Sequence, residues 1–139
     1  MTTRRSIASV GLAVIIGAGS LSAHHAFSSE FDASRPIVLR GTVTKTEWIN
    51  PHSWIHIEVK SDDGKLASWA IECGAPNSLM RRGLNKTSIP IGTQIVVDGY
   101  QARDGSTTAN AKDITTPDGK KFFVGSSGTG APYEKEEPR

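Results

Sequence analysis

SWIHIEVKSDDGKLASWAIEC, residues 53–73, decides the fold class. Ile55, Ile57 and Val59 alternate with Trp54, His56 and Glu58, the two-residue period of a strand with one apolar and one polar face. Asp62-Asp63-Gly64 supplies the residues of a tight hairpin turn, and beyond it Trp69, Ile71 and Cys73 share one face of a second run over residues 65–73. The two runs therefore pair antiparallel.

Working outward, the same period governs the chain from Ile37 onward. Upstream, a long β-branched run from about Pro36 to Trp48 reads as the first strand, with Gly41 where a sharply curved strand bends and Asn50-Pro51-His52 as its end. Downstream, residues 74–83 enclose about two helical turns, with Pro76 suited to the first turn and Gly83 to the stop. A fourth strand follows over residues 93–102 and a weaker fifth near 109–115, before a last short apolar piece at 122–124. Three strands, a capping helix and two more strands predict an all-β fold, a small five-stranded Greek-key barrel of the oligonucleotide- and oligosaccharide-binding (OB) type. A small open sandwich of lipocalin-like or immunoglobulin-like character has similar periodicity, but usually more strands.

Outside this domain, residues 1–23 carry the parts of a secretory signal: Arg4-Arg5, an apolar stretch from Ile7 to Ala18, and small residues up to Ala23, with a cut after Ser20 or Ser22 the alternative. That apolar run is too short and glycine-broken to predict a membrane span after cleavage. The expected division is a signal peptide at 1–23, an N-terminal extension at 24–35, the β domain at 36–124 and a disordered tail at 125–139, rich in Gly, Ser, Pro and charge. Periplasmic or secreted location follows from the signal.

Removing the first 23 of 139 residues takes away two arginines and no acid, so the 16 basic and 14 acidic residues of the whole chain become 14 of each. A neutral exported domain has no long-range field to gather phosphates, which argues against nucleic acid as partner. Cys73 is the lone cysteine, so no internal disulfide forms; on an apolar face it reads as a small buried hydrophobe.

Four short stretches carry a resemblance: His24-His25-Ala26-Phe27; Glu47-Trp48-Ile49-Asn50-Pro51-His52-Ser53-Trp54; Gly74-Ala75-Pro76-Asn77 with Arg81-Arg82-Gly83; and Gly99-Tyr100-Gln101-Ala102 with Asp104-Gly105-Ser106. Together they look like a family of small exported bacterial proteins known only as a domain of unknown function, whose members commonly carry serine where Ala26 stands. The resemblance implies export and a compact β fold, and transfers no activity.

Two groups of residues are candidates for binding. Trp48, Asn50, His52 and Trp54 sit on or beside the loop between strands one and two, where proline stiffens the backbone and the indoles offer flat apolar area with one donor each. That suits a sugar ring, an aromatic metabolite or a peptide. Arg103, with Asp104 and Ser106 in the loop between strands four and five, is expected at the same end. The competing structural role is a pair of tryptophans filling the barrel mouth.

The second group is metal-binding. All four histidines, His24, His25, His52 and His56, fall in two short segments. Cleavage after Ala23 makes the His24 α-amine and its ring Nδ1 a chelate, which His25, His52 or His56 can complete as a nitrogen-rich set favouring copper, with zinc the next candidate. Against this stands a histidine pair with no role on a frayed terminus. No nucleophile elbow, HExxH or phosphate loop appears. A Ser53–His52–Asp104 set is possible only on paper, and Arg81-Arg82 reads as a helix end or a carboxylate clamp. The expectation is a non-enzymatic binding module for a small molecule or periplasmic protein, with a periplasmic copper protein as the alternative.

Overall fold

The computed structural model describes residues 27–135. Six strands form one mostly antiparallel sheet, β1 (Phe31–Glu47), β2 (Trp54–Lys60), β3 (Leu66–Glu72), β4 (Gln94–Ala102), β5 (Thr108–Thr115) and β6 (Lys121–Phe123). Short helices lie at Phe27–Glu30 (α1) and Pro76–Arg81 (α2), with a 3-10 turn at Pro132–Lys135. The fold class is all-β, as the alternation requires. The sheet order is β3-β2-β1-β4-β5-β6, and β3 also pairs with β5 in parallel through Ala70↔Thr108, Ile71↔Ala109 and Glu72↔Asn110.

β1 is long because it serves two partners. Its first part pairs with β4 and its second with β2, and Gly41 sits in the overlap, opposite both Ile95 and Val59. A side chain there would meet the Glu58 carbonyl at 2.8 Å, so the crowding of two neighbours, more than bending alone, requires glycine. Gly99 is a second such place: it borders the β4–β5 register shift, and a Cβ would run into the Asn110 carbonyl.

The face predicted to be apolar is the core. Ile55, Ile57, Ile71, Cys73, Val43, Ile95 and Val97 are buried there with Leu79 of α2 and Leu84, so α2 covers the core as expected. Each fully buried aliphatic side chain contributes roughly 1.5–3 kcal/mol of transfer free energy. Burial pushes the Cys73 thiol far above its usual value, first through desolvation and then through the neighbouring Glu72 charge, so it sits in the core as a protonated thiol.

Two boundaries differ from expectation. The ordered domain begins before Pro36, since Phe27 and Phe31 are buried and β1 starts at Phe31. The tail expected to be disordered is packed over residues 125–135, where Ser126, Thr129, Ala131 and Tyr133 are buried. Composition misleads here because the contacts come from far away. Phe27, Phe31, Ala102, Ala131 and Tyr133 form a second apolar cluster with Tyr100 and Phe123. Arg82 fastens the segment, donating to Gly125 O at 2.7 Å and Ser127 Oγ at 3.2 Å while its guanidinium lies 4.5 Å from the Phe123 ring centroid. Arg82 is thus a structural clamp. No helix among the described residues is long and apolar enough to cross a membrane.

Candidate functional site

Strand alternation sends every second residue of β2, β3 and β5 away from the core. The registers then align a row across four strands: Glu47 opposite Trp54, Trp54 opposite Glu72, Glu72 opposite Asn110. A parallel row holds Lys45, His56, Ala70 and Thr108. The result is an outer face over β2 and β3, partly exposed at Glu47 and buried at Glu72 and Asn110.

The loop from Trp48 to Ser53 borders the first row. Its Asn50–Pro51 peptide is cis. Ser53 ties the loop to the end of β3, its N–H donating to Gly74 O at 3.0 Å and its carbonyl accepting from Cys73 N–H at 2.8 Å. Among the described residues, the Ser53 hydroxyl is the one buried side-chain polar atom without a partner.

The structure separates the two tryptophans. Trp48 packs against the main core, whereas Trp54 is half-buried on the outer surface and belongs to neither apolar cluster. Asn50 is exposed at the loop tip. His52 turns inward, with its side chain 17% exposed. Its Nδ1 lies 3.3 Å from Ser126 Oγ and 3.9 Å from Glu72 Oε1.

Beside Trp54, His56 Nε2 meets Glu47 Oε2 at 2.7 Å. The hydrogen bond from Lys45 Nζ at 2.8 Å, then the one from His56, hold the Glu47 carboxyl below its usual range. This trio is solvent-facing, so its Coulomb energy is modest.

Arg103 lies elsewhere than expected. Its loop leaves the end of β4, which pairs with the start of β1, while the Trp48–Ser53 loop leaves the end of β1. The two loops flank opposite borders of the outer surface, the Arg103 loop held there by Ala70 N–H donating to Thr107 O at 3.0 Å. Arg103 itself is directed to the chain start, with Nε donating to Ser28 O at 2.6 Å and its backbone N–H to Glu30 O at 2.9 Å. Asp104 accepts from Ser106 N–H at 2.9 Å and is not joined to Ser53 and His52. Arg81 donates to Ser78 Oγ at 3.2 Å.

Of the metal candidates, His24 and His25 lie outside the described residues, and among the described residues no three His, Cys, Asp or Glu side chains cluster as a metal site. Phe27 is the first described residue and is itself anchored. Its N–H donates to Thr129 O at 2.8 Å, three residues from Ser126, which touches His52.

Behind His52 lies a polar group that the sequence reading missed. Asn110 Nδ2 donates to Glu72 Oε1 at 3.1 Å, and the Tyr133 hydroxyl donates to Asn110 Oδ1 at 2.7 Å. Ser126 N–H donates to Tyr133 Oη at 3.1 Å. Burial above all drives the Tyr133 hydroxyl well above its ordinary value, so it remains a proton donor. The signal in the sequence was slight: one glutamate on a half-buried strand and one tyrosine in an otherwise polar tail.

The chain is thus an all-β domain with a polar outer face and a histidine at its border. Residues 12–111 match a family described as a family of unknown function (DUF6152), and the chain belongs to it. No curated protein matches the chain in sequence. Ser126 and Tyr133 fall beyond the matched stretch.

Proposed function

We propose that the chain is an exported, non-enzymatic binding module of the five-stranded OB barrel type, which takes a small molecule or periplasmic protein on its β2–β3 surface. The parallel β3–β5 pairing supports the barrel, because it joins two strands that the order along the sheet leaves apart and gives β1 to β5 a circular arrangement. Strands two and three with their flanking loops are the binding face of that fold. Export rests on the signal-like residues 1–23.

The observation that carries the reading is Trp54. It is a half-buried indole on the outer surface, outside both apolar clusters, between the Glu47–His56 pair and Glu72, with His52 at the border. A flat apolar plate ringed by polar groups suits a sugar ring or a planar metabolite. Ser126 and Glu72 both approach Nδ1 of His52, an arrangement unlike a nucleophile–base–acid triad, in which the two partners use different ring nitrogens.

The test is titration of the mature protein with soluble oligosaccharides and aromatic carboxylates, following the Trp54 indole N–H by NMR. Saturable movement of that resonance is expected, with affinity reduced about tenfold, or ~1.4 kcal/mol, in Trp54→Ala and His52→Ala. Binding that leaves both variants unaffected sinks the reading.

A second reading, periplasmic copper binding by His24, His25 and His52, is favoured by one observation. Both contacts of His52 fall on Nδ1, leaving Nε2 for a ligand, and Phe27 is anchored three residues along the chain from the serine that touches the imidazole. Tight one-to-one Cu(II) binding by protein starting at His24, lost on adding one residue ahead of it, is the expected result. Indifference to that extension excludes the chelate.

A further inference from the structure

The hydrogen bonds behind His52 run in one direction. Tyr133 Oη accepts from Ser126 N–H, and its single proton goes to Asn110 Oδ1. With its oxygen so engaged, the Asn110 amide turns its Nδ2–H to Glu72 Oε1, fixing which end of the amide faces the carboxylate. The same Glu72 oxygen lies 3.9 Å from His52 Nδ1. The Ser126 hydroxyl lies 3.5 Å from Cys73 O and 3.3 Å from Nδ1; when its proton goes to Cys73 O, a lone pair is left for an Nδ1–H. Two oxygens thus face one ring nitrogen. A bare lone pair on Nδ1 would be repelled by the Glu72 carboxylate, whereas an Nδ1–H is attracted by it and, with the Ser126 proton donated to Cys73 O, by Ser126 as well.

We propose that Glu72 and Ser126 are positioning residues that hold His52 as its Nδ1–H tautomer, so that Nε2 offers a lone pair to an electron-pair acceptor. Resting on the reading of His52 as a binding residue, this defines the chemistry of what His52 meets: a transition-metal cation or a ligand hydrogen-bond donor, and not an anion. Metal-binding histidines are commonly oriented in this way, one nitrogen on the metal and the other donating to a carboxylate or other acceptor. Tyr133 and Asn110 act one step further back, by fixing Glu72.

The test needs no known ligand. Two- and three-bond proton–nitrogen correlation NMR on protein with nitrogen-15 histidine distinguishes the tautomers of the neutral ring directly. The expected wild-type result is a protonated Nδ1 and a bare Nε2 at His52. A dominant Nε2–H form overturns the proposal without any mutation.

In Glu72→Gln the tautomer ratio should fall about tenfold, as removal of one charge-assisted interaction worth ~1.4 kcal/mol would cause. A ratio unchanged in both Glu72→Gln and Ser126→Ala also overturns it. Should Glu72→Gln fail to fold, Ser126→Ala and the wild-type spectrum still decide. Zinc chloride, a diamagnetic probe, separates the two ligand sources. A selective shift of Nε2 with Nδ1–H retained supports a cation. Retained Nδ1–H with no zinc effect supports the positioning roles and a hydrogen-bond donor, and removes the metal reading.

Discussion

The inner face of the sheet, where Ile55, Ile57, Ile71 and Val97 meet, and the outer face, where Glu72, Asn110 and Tyr133 meet, recruit their residues differently. The inner set follows from two-residue periodicity, and its attraction is non-directional, so any aliphatic side chain of similar volume serves. The outer set joins Glu72 to Asn110 across 38 residues, Asn110 to Tyr133 across 23 and His52 to Ser126 across 74. Its hydrogen bonds are directional, and each requires a particular donor and acceptor at a particular place. A surface meant to recognise something needs the second kind of construction, since it fixes orientation as well as stability.

Substitutions can break this comparison. The largest effect is expected inside: Ile57→Ala should lower the unfolding free energy by about 2–5 kcal/mol in urea denaturation, through lost transfer energy and a cavity. A loss below about 1 kcal/mol would mean that the inner face is not the main source of stability. Next comes Tyr133→Phe, which keeps the ring but leaves Asn110 Oδ1 and Ser126 N–H without the hydroxyl, at a cost of about 1–3 kcal/mol. The network should also show in non-additivity: Asn110→Ala should cost less in the Tyr133→Phe background than alone.

A smaller effect concerns pH. Burial pushes the Glu134 carboxyl upward, but hydrogen bonds from the Thr129 N–H and hydroxyl and from the backbone of Ala131 and Gly130 outweigh it, holding the group below its ordinary value of 4.5. A carboxyl lowered by folding contributes stability that is complete above its unfolded value and is lost as pH falls through the lower folded one. Acidification below 4.5 should therefore speed amide exchange at Thr129 and Gly130 relative to core amides, after correction for the intrinsic rate. Glu134→Gln should remove this acid dependence.

The smallest effect is expected for Lys45→Ala. It removes an exposed partner of Glu47 and should change stability by about 0–1 kcal/mol, less at high salt. A larger loss would mean that the Lys45–Glu47–His56 trio acts as a structural unit.

The inner face was legible in the sequence because burial repeats every second residue, so Ile55, Ile57 and Ile71 declare their side without knowledge of their neighbours. His52 and Trp54 were legible as candidates because histidine and tryptophan are conspicuous beside a proline turn. The different fates of the two tryptophans were not legible: Trp48 and Trp54 flank the same loop, and only the pairing of β1 with β2 decides which indole joins the core. Nor were Ser126 and Tyr133, because a Gly- and Ser-rich tail has no periodicity to read and its order depends on Arg82, Asn110 and Phe27, all remote in sequence.

By itself, then, the sequence determined the all-β class, the inward set of aliphatic residues and the capping helix, since these depend on local alternation and turn chemistry. Only the tertiary structure decided that the C-terminal segment closes over the outer face, that Arg103 turns to the chain start and that Glu72 stands behind His52. Those outcomes depend on directional contacts between distant segments, and strand register must form before such contacts have a place to meet.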